Sequence, residues 1–216
     1  MSKTDSADSF DLDLLDFLFT FALGFGMTPE VLNAGLKGLL SEVWYTEGRW
    51  PNTGELFDFL VFFVGFLNLA LSWFGYHASV RLRPLKYKSP YGMWRFLIDV
   101  VLVIVYGIIL LEYKRFGVVL VWLIFVYALF PLWDFLKVRE YQENFRAKPD
   151  PFLRRYRREC VSGFAAVLFL LTGLLYYYQL NRWAILTLAG FVTVFYRINK
   201  GYPVWERIFG ITAADA

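Results

Sequence analysis

Apolar residues run along this chain in six long blocks, separated by short polar stretches. The blocks are Phe10–Met27, Glu55–Tyr76, Trp94–Glu112, Gly117–Leu136, Cys160–Tyr178 and Trp183–Tyr196. A hydrocarbon core of about 30 Å takes roughly 20 helical residues to cross, so each block is read as a membrane-spanning helix. The sixth holds the fewest apolar residues and crosses only if it begins before Trp183, continues past Tyr196, or sits where the bilayer is thin. Between the first two blocks, Thr28-Pro29-Glu30 is a helix start, with Thr as cap and Pro in the first turn. Val31, Leu32, Leu36, Leu39, Leu40 and Val43 then recur at three-to-four spacing. That spacing predicts an amphipathic helix over 29–45 lying on the outer membrane face. Gly48, Pro51 and Gly54 turn the chain back into the second span. The breaks at Glu112–Phe116 and Gln179–Arg182 are short enough only for tight hairpins, so the third and fourth spans pair antiparallel, as do the fifth and sixth.

The predicted fold is therefore all-α, a polytopic membrane helix bundle of about six transmembrane helices plus one outer amphipathic helix. An acidic tail over 1–9 precedes the membrane domain at 10–198, which carries basic loops at 77–93 and 137–159, and a tail over 199–216 follows. Composition narrows the class in the same direction. With 58% hydrophobic and only 19% charged residues, the chain has too little polar surface to cover a soluble core of this size. Of the 22 Lys and Arg, 17 fall on the side of the amino-terminal tail, the second-to-third loop, the fourth-to-fifth loop and the carboxy-terminal tail, counting Arg95 at the start of the third block, against 5 in the other three loops. Basic residues are retained in the cytoplasm, which places both termini there, in a membrane expected to be the bacterial inner membrane. Basic residues beside spans are topology signals that meet acidic lipid, which argues against a nucleic-acid partner. Asp8 just before the first block and Asp11 and Asp13 at its start stand where a signal peptide would be basic, so this block is expected to stay in the protein.

Ionisable groups inside spans cost roughly 2.5–3.5 kcal/mol each at mid-membrane on insertion scales and must find partners or water. Asp16 in the first span, His77 ending the second, Asp99 just after Arg95 in the third, and Asp134 near the end of the fourth all map to the cytoplasmic half. They are expected to share one layer. In one arrangement Asp16 pairs with His77 or Arg95 and Asp99 with another basic residue, fixing helix register; in the other, part of the layer lines an aqueous vestibule. Asn68, mid-span, reads as interhelical hydrogen-bond glue. Aromatic residues at span ends, Trp94, Tyr113, Trp133, Tyr176, Tyr177, Tyr178 and Trp183, read as interface anchors.

No catalytic motif is present, and the lone His and lone Cys lie in different segments, so neither an enzyme nor a metal or cofactor site is expected. Asp16, Phe19, Thr20, Leu23 and Met27 form a stripe along the first helix. Symmetric copies of it would make an acidic mouth followed by an apolar constriction. One chain is too small to form such a pore, so a homo-oligomer is expected. The alternative is a membrane-embedded sensor or scaffold that docks a soluble partner through Arg154, Arg155, Arg157 and Arg158, a run that equally suits acidic lipid headgroups.

The run Asp16-Phe17-Leu18-Phe19-Thr20-Phe21-Ala22-Leu23 resembles the start of the first helix in the transmembrane protein 175 family of potassium channels. Trp73 and His77, within Trp73-Phe74-Gly75-Tyr76-His77, are similar to the Trp and final His that end that family's second helix. The family's Phe-Ser-Asp is Leu14-Leu15-Asp16 here, and its paired Asn-His is Gly75-Tyr76. The resemblance implies a tetrameric, cation-permeable pore lined by the first helix.

Overall fold

The computed structural model describes residues 53–82, 90–144 and 155–209. They form five α-helices: α1 (Thr53–Leu82), α2 (Pro90–Leu111), α3 (Phe116–Asn144), α4 (Arg155–Tyr177) and α5 (Arg182–Phe209), with no strand among the described residues. The expected first span, Phe10–Met27, and the amphipathic stretch 29–45 lie outside them. So do the pore candidates Asp16, Phe19, Thr20, Leu23 and Met27.

Among the described residues four helices are long and apolar enough to cross a membrane, over Thr53–Tyr76, Pro90–Leu111, Phe116–Glu140 and Cys160–Tyr177. These match the second to fifth apolar blocks to within a few residues. The sixth block is different, because its helix does not stop at Tyr196 but continues through Arg197 and Lys200 to Phe209. Continuation past Tyr196 is thus how α5 gains its length. Its charges keep it out of the set of apolar spans, and the described residues hold five helices, four of them apolar enough to cross.

The two tight breaks are helical hairpins. After α2, the amide of Arg115 donates to the Glu112 carbonyl at 2.8 Å, and α3 begins at Phe116. After α4, the Gln179 amide donates to the Tyr176 carbonyl at 2.9 Å and the Leu180 amide to the Leu175 carbonyl at 3.2 Å. This pair of bonds is the Schellman ending, which needs a left-handed residue next to the helix. Gln179 supplies it, with φ of 59°. Asn181 then caps α5, its side-chain oxygen accepting from the Trp183 amide at 2.9 Å.

Each helix packs on the next, and α5 packs back on α1, so the five close into a ring, with α3 also reaching α1 across its interior. Close approach is set by small residues: a Cβ on Gly65 of α1 would sit 2.7 Å from the Ile109 side chain of α2, and one on Gly117 of α3 would sit 2.9 Å from the Tyr176 hydroxyl of α4. The interior is filled by Val61, Leu69, Ile109, Leu120, Leu123, Val126, Phe169 and Val192, all at most 2% exposed. Phe57, Tyr113, Phe116 and Trp183 close one end. Outward-facing Val101, Ile104, Val121, Phe164, Val167, Leu170 and Phe191 stay exposed, as the lipid-facing side of a membrane bundle requires.

Candidate functional site

Most buried polar side chains among the described residues lie in the middle of the bundle or toward the end opposite Trp183, with Thr172 and the Tyr113 hydroxyl nearer Trp183. Asn68 marks the middle. Its amide nitrogen donates to the Val64 carbonyl at 2.9 Å and to Thr193 Oγ1 at 3.0 Å, and its oxygen accepts from Tyr127 Oη at 3.0 Å. One side chain thereby joins α1, α3 and α5, the glue role expected of it. One turn further along α1, Ser72 shares a 2.5 Å hydrogen bond with Tyr106 Oη of α2 and accepts another from the Arg197 guanidinium of α5.

Beyond these lies a charged layer. Arg95 of α2, fully buried, is ion-paired to Glu140 of α3 at 2.5 Å, and its guanidinium sits 4.9 Å from the centre of the Trp133 ring. Asp134 of α3 accepts from the Ser162 hydroxyl of α4 and pairs with the Lys200 ammonium of α5 at 3.0 Å. Asp99, 4% exposed, lies within the field of Arg95, Lys137 and Lys200. Among the described residues the Nε and Nη2 of Arg95 have no hydrogen-bond partner, and the Trp133 indole is a neighbour of the Asp99 carboxylate. Ion pairs and ring contacts around the buried charges hold this layer together.

Arg95, Asp99 and Asp134 therefore stand in one layer, the juxtaposition their positions along the spans suggest. Among the described residues the partner of Arg95 is Glu140, because α3 runs unbroken past its apolar block and carries Glu140 two turns beyond Trp133; Asp16 lies outside them. Asp134 finds Lys200, which the continuation of α5 brings up four residues after Tyr196. Trp73 is partly buried, with its ring edge against Phe74 at 5.1 Å. His77 lies in α1 with its side chain outside the described residues, as are the side chains of Arg155, Arg157 and Arg158 in α4, while Arg154 precedes that helix.

Glu140, Ser162, Arg197 and Lys200 were not singled out by the apolar blocks. A signal was there. Extending the buried stripe Tyr127, Phe130, Trp133 by helical spacing reaches Glu140, and extending Ala189, Thr193, Tyr196 reaches Lys200. The expected anchors also divide: Trp94, Tyr177, Tyr178 and Trp183 are exposed, whereas Tyr113 and Trp133 are buried.

At the opposite end, Thr53, Gly54, Phe57, Asp58, Asn181, Arg182 and Trp183 line an open cleft of about 320 Å³. Arg182 lies over the Phe57 ring at 5.5 Å there. Among the described residues no group of three or more His, Cys, Asp or Glu is placed to hold a metal ion.

Four apolar helices, a lipid-type exterior and an interior charged layer define the class, a helical membrane protein. Comparison with protein-family models, curated proteins and solved structures gives no match.

Proposed function

We propose that the protein is an oligomeric cation channel of the potassium type, in which the described helices are the packed wall and Phe10–Met27 lines the path between subunits. The observation that carries this reading is the filled interior of the five-helix ring. With Tyr127 stacked on Phe169 at 4.0 Å and Asn68, Thr193 and Tyr127 bonded together mid-bundle, a hydrated path has no room inside one ring. Conduction then requires an axis between copies, and in Phe10–Met27 an acid in the cytoplasmic half, Asp16, stands ahead of an apolar stripe. The resemblance of Asp16–Leu23 and of Trp73 and His77 to the transmembrane protein 175 family supports the same assignment, with a tetramer favoured and both termini cytoplasmic.

Flux of potassium from liposomes containing the purified protein tests it. Asp16→Asn lowers flux by removing charge at the mouth, and Leu23→Ser raises basal flux by wetting the constriction. The reading fails if Leu23→Ser leaves flux unchanged while Asp16→Asn alters only stability.

A second reading, a membrane-embedded scaffold for a soluble partner, draws on α3 and α5, which both run past their apolar parts at the Arg95 end. With Arg154, Arg155, Arg157 and Arg158 nearby in sequence, that end offers a basic docking surface. Absence of flux, together with a soluble protein that binds wild-type vesicles but not vesicles of an Arg155→Ala/Arg158→Ala variant, would favour it.

A further inference from the structure

Lys200 is held by more than an ion pair. Its ammonium lies 3.0 Å from Asp134 Oδ2 and 2.5 Å from Tyr196 Oη. It also sits 5.1 Å from the ring centres of Phe130 and Trp133 and 5.0 Å from that of Tyr196. Three rings at nearly equal distance around one nitrogen, with a carboxylate completing the enclosure, is the arrangement by which proteins recognise ammonium ligands. A salt bridge to Asp134 needs none of those rings.

The enclosure is built into the fold independently of its occupant. Phe130, Trp133 and Asp134 are at most 8% exposed and follow one another on α3, and Tyr196 is fully buried. Phe130 and Tyr196 stack with centres 5.0 Å apart at 16°. The Ser162 hydroxyl fixes the Asp134 carboxylate from α4. The Lys200 side chain, 18% exposed, reaches the enclosure from α5. Arg197 shares the Phe130 and Tyr196 rings at 5.1 and 5.2 Å but bonds to Ser72, and Arg95 and Lys137 lie 4.9 and 4.7 Å from the Trp133 ring centre. Among the described cations Lys200 is the one that meets all three rings together with Asp134.

We propose that Phe130, Trp133, Tyr196 and Asp134 form a binding site for a primary ammonium group, which the chain fills with its own Lys200 and which accepts a small primary alkylammonium when that side chain is removed. The tethered ammonium clamps α5 to α3, and through Ser162 to α4. Primary amines fit best because the Asp134 and Tyr196 oxygens both lie where N–H donors must point, which a quaternary ammonium lacks. This assignment is independent of the channel reading.

The test is thermal unfolding of the full chain in detergent. Lys200→Ala lowers the midpoint by on the order of 10 °C, as loss of a buried charge partner does in a chain of this size. Methylammonium or ethylammonium chloride then raises the midpoint of Lys200→Ala along a saturating curve, whereas sodium chloride at equal ionic strength does not and tetramethylammonium does so weakly. Wild type responds to none of them, and a Lys200→Ala/Asp134→Asn variant loses the rescue. Equal responses to ethylammonium and sodium, or rescue that survives Asp134→Asn, would overturn the proposal. Should Lys200→Ala give no folded protein, Lys200→Met keeps the chain length without the charge. A Lys200→Met midpoint equal to wild type means that the ammonium contributes nothing and overturns the proposal.

Discussion

Removing either partner of the Arg95–Glu140 pair leaves a full charge in a layer where both side chains are at most 2% exposed. Glu140→Ala is therefore expected to destabilise by about 3–5 kcal/mol. Replacing both with apolar residues of similar volume, Arg95→Met with Glu140→Leu, recovers most of that loss, since two desolvated charges disappear together. Unfolding of the two single variants and the double variant in detergent checks this, and purely additive losses would refute it. The pair also shows where the sequence stopped speaking. Asp99, Asp134 and Arg95 were visible as costly groups inside apolar blocks, and depth alone brings these three to one layer. Glu140 and Lys200 were not visible in the same way, because each lies past the end of an apolar block, where a charged residue is ordinarily solvated. Only the unbroken helices α3 and α5 turn them inward.

The hairpins and close approaches between helices give two further expectations. Gln179 holds a left-handed conformation that costs a side-chain-bearing residue about 1–2 kcal/mol. Gln179→Gly should therefore stabilise the α4–α5 hairpin by about 1 kcal/mol, read as a raised unfolding midpoint. Gly65 and Gly163 form a contrasting pair. A Cβ at Gly65 meets the branched carbon of Ile109 at 2.7 Å, whereas one at Gly163 has nothing within 4 Å. Gly65→Ala should cost about 1–3 kcal/mol through overpacking of a stiff neighbour, and Gly163→Ala should gain roughly 0.5–1 kcal/mol through helix propensity. The same unfolding measurement separates them, and a loss at Gly163 equal to that at Gly65 would contradict the packing account. Helix positions were legible throughout the described chain because lipid-compatible length is a strong periodic signal. The length of α5 was less so, because Arg197 and Lys200 interrupt its apolar run while their partners Ser72, Asp134 and Tyr196 lie on or against other helices.

The orientation expected from the basic residues, 17 of 22 on one side of the spans, is open to direct measurement. Single cysteines at Ser89 and Ala147, in a background lacking Cys160, should be labelled only from the cytoplasm, and one at Thr46 only from outside. Labelling of Thr46 and Ser89 from the same side would remove the topology on which the cytoplasmic placement of the termini rests. The ring of helices fits such an alternation, because the hairpins after α2 and α4 reverse direction and bring the starts of α1, α3 and α5 together at the Trp183 end.

The charges of α5 also bear on how the protein is made. A segment bearing Arg197 and Lys200 is a poor substrate for integration into lipid by itself, and each such residue weighs against its partitioning. Asp134, which neutralises Lys200, belongs to α3, and Ser72, which takes up Arg197, belongs to α1, so both counterparts precede α5 in the order of synthesis. Of the described helices α5 is thus the late arrival, delivered by the tight hairpin from α4 into a site that earlier helices have already made polar. A chain lacking those counterparts would leave α5 stranded outside the bilayer during biogenesis, a failure of assembly that precedes any question of stability.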